Sequence, residues 1–475
     1  MEDLNGPAAD LGFSSITEIK ELLSNREISP SELVAELTHR ILEIDDCENG
    51  LKSVLAINTH TEINSKTQNL PLSGIPLFIK DNIEAIGLPA TAGSLALTQR
   101  QVVSDAPLVN SLKDHGAVIL GSTNLSEWAN IRSANSTSGW SAVGGLTANP
   151  WKFSHSAGGS SSGSGSAVAA GLIPAAIGTE TDGSIVCPAS LNGVVGIKPT
   201  VGKISRDRIV PISFSQDSPG PIARNVDDAL KILEILTGDF DLVAASKDES
   251  KLCVGVVREW LTLDQATNDI FENQLTELAK SGIELVEIDV KPFPEQAGSD
   301  ELTVLMHELK FTMDSYLANR HGEGVKSLAD VISFNLENSE NELKYFDQEY
   351  FELAQSTDGL SEKYHEARSR NLNWAKDSVL DPALSQVDVL IGVPYGPAWK
   401  SDLANGDDFA SASWMTHAPA ISGYPIASLP MGFVTGLPVG LGIVAKANEE
   451  VKLAKALGQF ERVLGFKNLI PTFVR

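Results

Sequence analysis

The sequence predicts an α/β protein built around a large parallel or mixed β-sheet with helices packed against it. Short apolar runs alternate with segments of helical periodicity along most of the chain, the pattern that strands and crossover helices leave. The composition is that of an ordinary globular protein: 42% hydrophobic and 21% charged over 475 residues. A chain this long buries roughly three quarters of its unfolded surface, so its core needs no crosslinks or metals.

In chain order, the first element is a helix near residues 30–45. Ser29 and Glu32 stand at capping-box spacing, Pro30 suits the first helical position, and Leu33, Leu37, Ile41 and Ile44 recur at helical intervals. Val54–Ile57 reads as extended, and Pro71–Lys80 as a buried strand ending in a lysine. Ala117–Leu120 and Ile173–Ile177 are further short apolar runs. A helix is predicted near Asp227–Leu236, a strand near Cys253–Val257, a helix near Ile270–Ala279 and a strand near Ile283–Val290. Residues 301–375 lose strand character and become helical and acidic. Between Glu337 and Glu352 six acids (337, 340, 342, 347, 349 and 352) stand against one base, Lys344. That composition predicts a solvated helical face, with a substrate-covering insertion as the other reading. Strand pattern returns at Val387–Val393 and Leu441–Val444, and a last helix covers about 449–462. No repeat and no Pro-rich or charged linker divides the chain. The expectation is a single domain over 1–475 with a helical insertion at about 301–375.

Sixty-two acidic residues against 36 basic ones leave a net charge of −26. That argues against nucleic acid as a partner, because phosphate binding needs clustered Lys and Arg. No run of about 18 apolar residues predicts a membrane span, and the acidic start MEDLNGPAADLGF lacks the layout of a secretory signal. Three widely spaced cysteines (Cys47, Cys187, Cys253) form no disulfide framework and no zinc motif, and no H-E-x-x-H occurs. A cytoplasmic protein without metal or cofactor is expected, working as a monomer or homodimer.

The segment Ser156–Gly171, SAGGSSSGSGSAVAAG, is Gly, Ala or Ser except for Val168. Such composition often marks a flexible linker. Here it runs directly into Ala167–Gly178, an apolar stretch that must be buried. Small residues at this density let backbones approach closely around main-chain atoms. A Walker loop is excluded, since no lysine follows the glycines, and the dinucleotide pattern fails where Val168 replaces its last glycine. Gly159-Ser-Ser161-Ser-Gly163 matches the nucleophile elbow G-x-S-x-G, but the residues before it are not a core strand. His417 is the late histidine such a site would use, and nothing in the sequence pairs it with a carboxylate.

Further on, Thr181-Asp-Gly-Ser184 follows the apolar run Ile173–Ile177 and places a serine just past a strand end. Its tight turn can converge peptide N–H groups on one point, as an oxyanion hole requires; read alone, it is an ordinary polar turn.

Lys80 at a strand end, the Gly-Gly-Ser160-Ser-Ser-Gly loop and Thr-Asp-Gly-Ser184-Ile, 24 residues after Ser160, together resemble the amidase signature family. Gly196-Ile-Lys-Pro-Thr200, Gln216-Asp-Ser-Pro-Gly-Pro221 and Gly423–Gly432 extend the likeness over about residues 25–460. The resemblance implies a large mixed sheet sandwiched between helices, and hydrolysis of amides by a Ser–cis-Ser–Lys triad. Carried over by position, Ser184 is the nucleophile, Ser160 the bridging serine after a cis peptide bond, and Lys80 the base. The N–H groups of Thr181, Asp182, Gly183 and Ser184 form the oxyanion hole. Many members have Gly-Gly before the nucleophile and Arg two residues after it; here Asp182 and Val186 stand there. Asp182 need not hurt, because its backbone rather than its side chain would be used, whereas Val186 removes a clamp for a carboxylate-bearing substrate. Asp-Gly-Ser-Ile-Val-Cys-Pro188 and Leu125-Ser-Glu-Trp-Ala-Asn130 look most like the branch that contains bacterial peptide amidases. The alternative within the family is the glutamine-hydrolysing A subunit of a tRNA-dependent amidotransferase.

A lysine acts as a base only when neutral. Bringing its pKa from about 10.4 to between 7 and 8 takes about 4 kcal/mol of environmental bias. Burial at the end of the Ile75–Ile79 run acts in that direction. Asp81 would oppose it, but strand alternation turns neighbours to opposite faces. Trp128, Arg132, Trp140, Tyr395, Trp399 and Trp414 are candidates for the acyl pocket, with core or loop packing as the other reading for each.

Overall fold

The computed structural model describes residues 11–58, 70–99 and 101–473. The first ten residues of the acidic start lie outside them. Among the described residues, eleven strands form one sheet: β1 (Val54–Ile57), β2 (Pro76–Lys80), β3 (Val118–Thr123), β4 (Ala175–Glu180), β5 (Val195–Lys198), β6 (Ser218–Ala223), β7 (Cys253–Val256), β8 (Glu284–Glu287), β9 (Val389–Gly392), β10 (Ile426–Val434) and β11 (Leu437–Val444). Their order across the sheet is β1-β3-β2-β4-β6-β5-β10-β11-β9-β7-β8. The pairs β3–β2, β2–β4, β9–β7 and β7–β8 are parallel and the other neighbours antiparallel, so the sheet is mixed. Helices cover both faces, as a sheet buried on both sides requires.

The helix expected near residue 30 spans Pro30–Ile44, and both halves of its capping box form: Ser29 takes the Glu32 N–H, and Glu32 accepts from Ser29. The other predicted helices and strands appear within a few residues of their expected bounds. Three sheet strands, β5, β6 and β10, carry no clear strand pattern in the sequence. Strand β6 contains Pro219 and Pro221, which ordinarily argue against a central strand. It pairs along its whole length with β4 but meets β5 only at Ile222 and Ala223, so the prolines stand where the second ladder is missing.

From residue 288 to 388 the chain is strand-free, with helices from Glu295–Asn319 to Asp381–Leu384. The solvated-face reading of its acidic run holds at Glu337, Glu340, Asp347 and Glu352 but fails at Glu342, which is fully buried, and at Glu349, which is half-buried. Glu342 accepts from the Ser94 hydroxyl at 3.1 Å and the Leu95 N–H at 2.6 Å, and faces the buried Arg132 guanidinium. A guanidinium with no access to water needs charged partners, and Glu127 (2.5 Å from Arg132 Nη1) and Glu342 supply them. Arg132 is therefore a packed ion-pair residue. Trp128, against Phe351, and Trp140, against Tyr345 and Phe346, are likewise buried packing residues rather than pocket walls.

Candidate active site

Strands β2 and β4 run parallel and in register, Ile79 opposite Ile177, so Lys80 and the Thr179–Glu180 end of β4 reach the same edge of the sheet. The Gly/Ser segment folds into the helix Ser162–Ala169, buried at every residue and packed against β2, β3, β4 and β6. A Cβ at Gly163 would lie 2.3 Å from the Ser53 carbonyl oxygen and one at Gly165 2.9 Å from Asn192 Nδ2. Close backbone approach therefore explains the small residues, and the linker reading is excluded.

Lys80 is wholly buried. Its Nζ lies 2.8 Å from Ser160 Oγ, 2.9 Å from Thr179 Oγ1 and 3.2 Å from the Thr179 carbonyl oxygen. Burial pushes its pKa down to about 7, against the opposing pull of Asp217 and Glu180. Asp81 faces the other way, accepting from the Ala90 and Thr91 N–H groups, as strand alternation requires. A neutral amine has two N–H bonds and one lone pair. The Thr179 carbonyl can only accept, which takes one N–H; the second serves one hydroxyl, and the lone pair can receive the proton of the other.

The Gly159–Ser160 peptide bond is cis, and Ser160 is fully buried. Ser184 is 8% exposed and sits on the adjoining loop, its carbonyl accepting from Ser161 N–H at 3.1 Å. Among the described residues, no hydrogen bond joins Ser160 to Ser184. Such contacts commonly tighten only when substrate is bound. The N–H groups of Thr181, Asp182, Gly183 and Ser184 make no hydrogen bond to described residues, so four donors are free at the loop. Glu180 turns the chain after it by accepting from Ile185 N–H at 2.6 Å and Val186 N–H at 2.9 Å.

The structure corrects one reading here. His417 is paired with carboxylates: its Nδ1 donates to Asp182 and lies 3.6 Å from Glu301. The Asp182 side chain is therefore engaged, while its backbone N–H stays free. One donor atom from each of Asp182, Glu301 and His417 falls within 4.8 Å of the others, near enough for a shared cation. Here the imidazole N–H is spent on Asp182, and the three form an ion-paired cluster. These partners are more than 100 positions apart in the chain, and no spacing announces them. Of the aromatic candidates, Tyr395 reaches the loop, its hydroxyl standing where a Gly183 Cβ would be, 2.4 Å away. Trp399 donates to Asp407 at 3.1 Å, and Trp414 packs edge-on against Trp260.

A strand-end lysine hydrogen-bonded to a serine beside a loop of free amides is an arrangement on which a hydrolytic site can be built. The model of the amidase family matches residues 32–454, and the chain belongs to that family. It is an amide hydrolase acting on carbon–nitrogen bonds. Its fold matches the peptide amidase of Stenotrophomonas maltophilia with a TM-score of 0.89 and 38% identity, over 97% of this chain and 98% of that one. It is 31% identical to the mandelamide hydrolase of Pseudomonas putida, over 95% of this chain and 91% of the other. It is 30% identical to the A subunit of glutamyl-tRNA(Gln) amidotransferase from Prochlorococcus marinus, over 94% and 96%.

Proposed function

We propose that the chain hydrolyses primary amides of peptide-like or small organic acids, releasing ammonia through a seryl acyl-enzyme, with Lys80, Ser160 and Ser184 as its triad. The observation that carries this reading is the 2.8 Å contact between the buried Lys80 amine and Ser160 Oγ. Neutral Lys80 takes a proton from Ser160 as Ser160 takes one from Ser184, and Ser184 Oγ bonds to the substrate carbonyl carbon. The amides of Thr181–Ser184 receive the oxygen's negative charge. Collapse breaks the C–N bond while the proton returns through Ser160 to the nitrogen, which leaves as ammonia. Water then adds to the ester by the same relay, freeing the acid and restoring Ser184.

The likeness to the peptide amidase supports C-terminal peptide amides as substrates, and Val186 in place of an arginine is consistent with substrates lacking a free carboxylate. The proposal includes a single domain with the helical segment as an insertion, and cytoplasmic action as a monomer or homodimer with no nucleic acid, metal or cofactor partner. No described helix is long and apolar enough to cross a membrane, and all three cysteines are free. Ammonia release from the purified chain tests the reading, with C-terminal peptide amides, aliphatic amides, aryl amides and glutamine compared. Fastest turnover is expected on a peptide amide; fastest turnover on glutamine would overturn the substrate assignment.

A further inference from the structure

The loop Thr181–Ser184 leaves its four N–H groups unspent, so its shape must be held by other atoms. Each residue has a tether. The Thr181 hydroxyl donates to Asp217 at 2.7 Å. The Gly183 carbonyl accepts from Cys187 N–H at 2.7 Å, and the Ser184 carbonyl from Ser161 N–H at 3.1 Å. Asp182 is tethered by its carboxylate to His417 Nδ1.

We propose that His417, backed by Glu301, is a positioning residue for amide hydrolysis: it clamps the Asp182 carboxylate and cancels its charge beside the oxyanion hole. This rests on the proposed roles of Ser184 and the four amides. A lone carboxylate two residues before the nucleophile would repel the oxyanion that the loop must stabilise, and an imidazolium bonded to it removes that repulsion. The elements around the ring suit the task. His417 opens the helix His417–Ser422, while Glu301 projects from the helix Glu295–Asn319 and is fixed by Gln216 at 2.9 Å. The ring plane is set by stacking on Phe293, with centroids 4.6 Å apart and an 18° tilt. Burial alone would discharge the ring, but Asp182 and Glu301 override it and push its pKa up to about 9. Burial would also raise Asp182, yet the pairing holds it below the usual carboxylate range. Burial and the Asp182 charge push Glu301 up to about 7, so below that pH it carries a proton and leaves the Asp182–His417 pair neutral. Asp182 thus departs from the glycine common in the family, and the structure pairs it with His417.

The test is a double-mutant cycle read as kcat and KM separately. His417→Ala is expected to lower kcat by about 10- to 100-fold, below the loss of a whole oxyanion donor, with KM changed less than about twofold. Adding Asp182→Asn to His417→Ala removes the uncompensated charge and is expected to restore at least about fivefold in kcat, a coupling that a purely structural role would not give. His417→Asn, which keeps a donor but not the charge, should fall between. If His417→Ala does not fold, His417→Asn with and without Asp182→Asn carries the same cycle. A wild-type kcat in the His417 variants, or a double variant no better than the single one, would overturn the clamp. Ser184→Ala separates the two ideas. If it stays active, the nucleophile assignment fails; if it is dead while the His417 variants match wild type, only the clamp fails.

Discussion

Lys80 Nζ contacts both oxygens of Thr179, at 2.9 Å for the hydroxyl and 3.2 Å for the carbonyl, so the lysine is aimed from β4 before any substrate arrives. That aim and the pKa of about 7 set a pH profile. Only the neutral amine accepts a proton, so kcat/KM should climb about tenfold per pH unit while Lys80 is mostly charged, then level off above about 7. The sign follows from burial, which disfavours the ammonium. Turnover of a peptide amide from pH 5 to 9 measures it, and a flat profile between 5 and 6 would contradict a lysine base.

Lys80→Met keeps the length and apolar stem of the side chain but removes the amine. Turnover should fall by at least about 10²-fold, the usual scale for a lost general base. The melting temperature should not drop, because the wild type buries an amine at a cost that methionine avoids. A variant that is inactive and also unfolded at 25 °C would show that Lys80 is structural.

Much of this site is legible in the sequence because its chemistry is local. A lysine closing an apolar run, glycines around one serine and a turn around another are each short patterns, and their combination points to the family. The helix Pro30–Ile44 is legible for a similar reason, its cap and its stripe being contained within it. The His417 pairing is not, because Asp182 lies 235 positions away. Arg132, Trp128 and Trp140 read as possible pocket walls because their burial depends on the helical segment that covers them. Glu342 misleads for the converse reason: a glutamate in an acidic run looks solvated until Arg132 and the Ser94–Leu95 turn are placed beside it.

Gly183 has φ +73°, and a Cβ there would meet Tyr395 Oη at 2.4 Å. Gly183→Ala therefore costs about 1–2 kcal/mol in backbone strain and also displaces Tyr395 or the loop. Turnover should drop more than about tenfold, since one misplaced oxyanion donor costs about 10²–10³. Adding Tyr395→Phe removes the clashing hydroxyl but not the strain, so the double variant should recover part of the loss. No recovery would mean that the φ requirement alone governs the position.

The buried Arg132 joins the helical segment to the loop preceding the Gly/Ser helix, through Glu127 Oε1 at 2.5 Å and the Glu342 carbonyl at 2.6 Å. Burial already pushes Glu127 well above the usual carboxylate range, against the pull of Arg132, and it raises Glu342 as well. Arg132→Met would leave two carboxylates in an apolar site without their cation. Each must then take up a proton or stay charged at a cost of several kcal/mol. A carboxyl whose folded pKa lies above its unfolded value of about 4.3 loses stabilisation as pH rises from that value through the folded pKa. The melting temperature of Arg132→Met should therefore fall further below wild type at pH 8 than at pH 5. Thermal unfolding at the two pH values measures it. An equal offset at both would mean that the lost guanidinium acts only through its packing on Phe346, over which it lies at 4.3 Å.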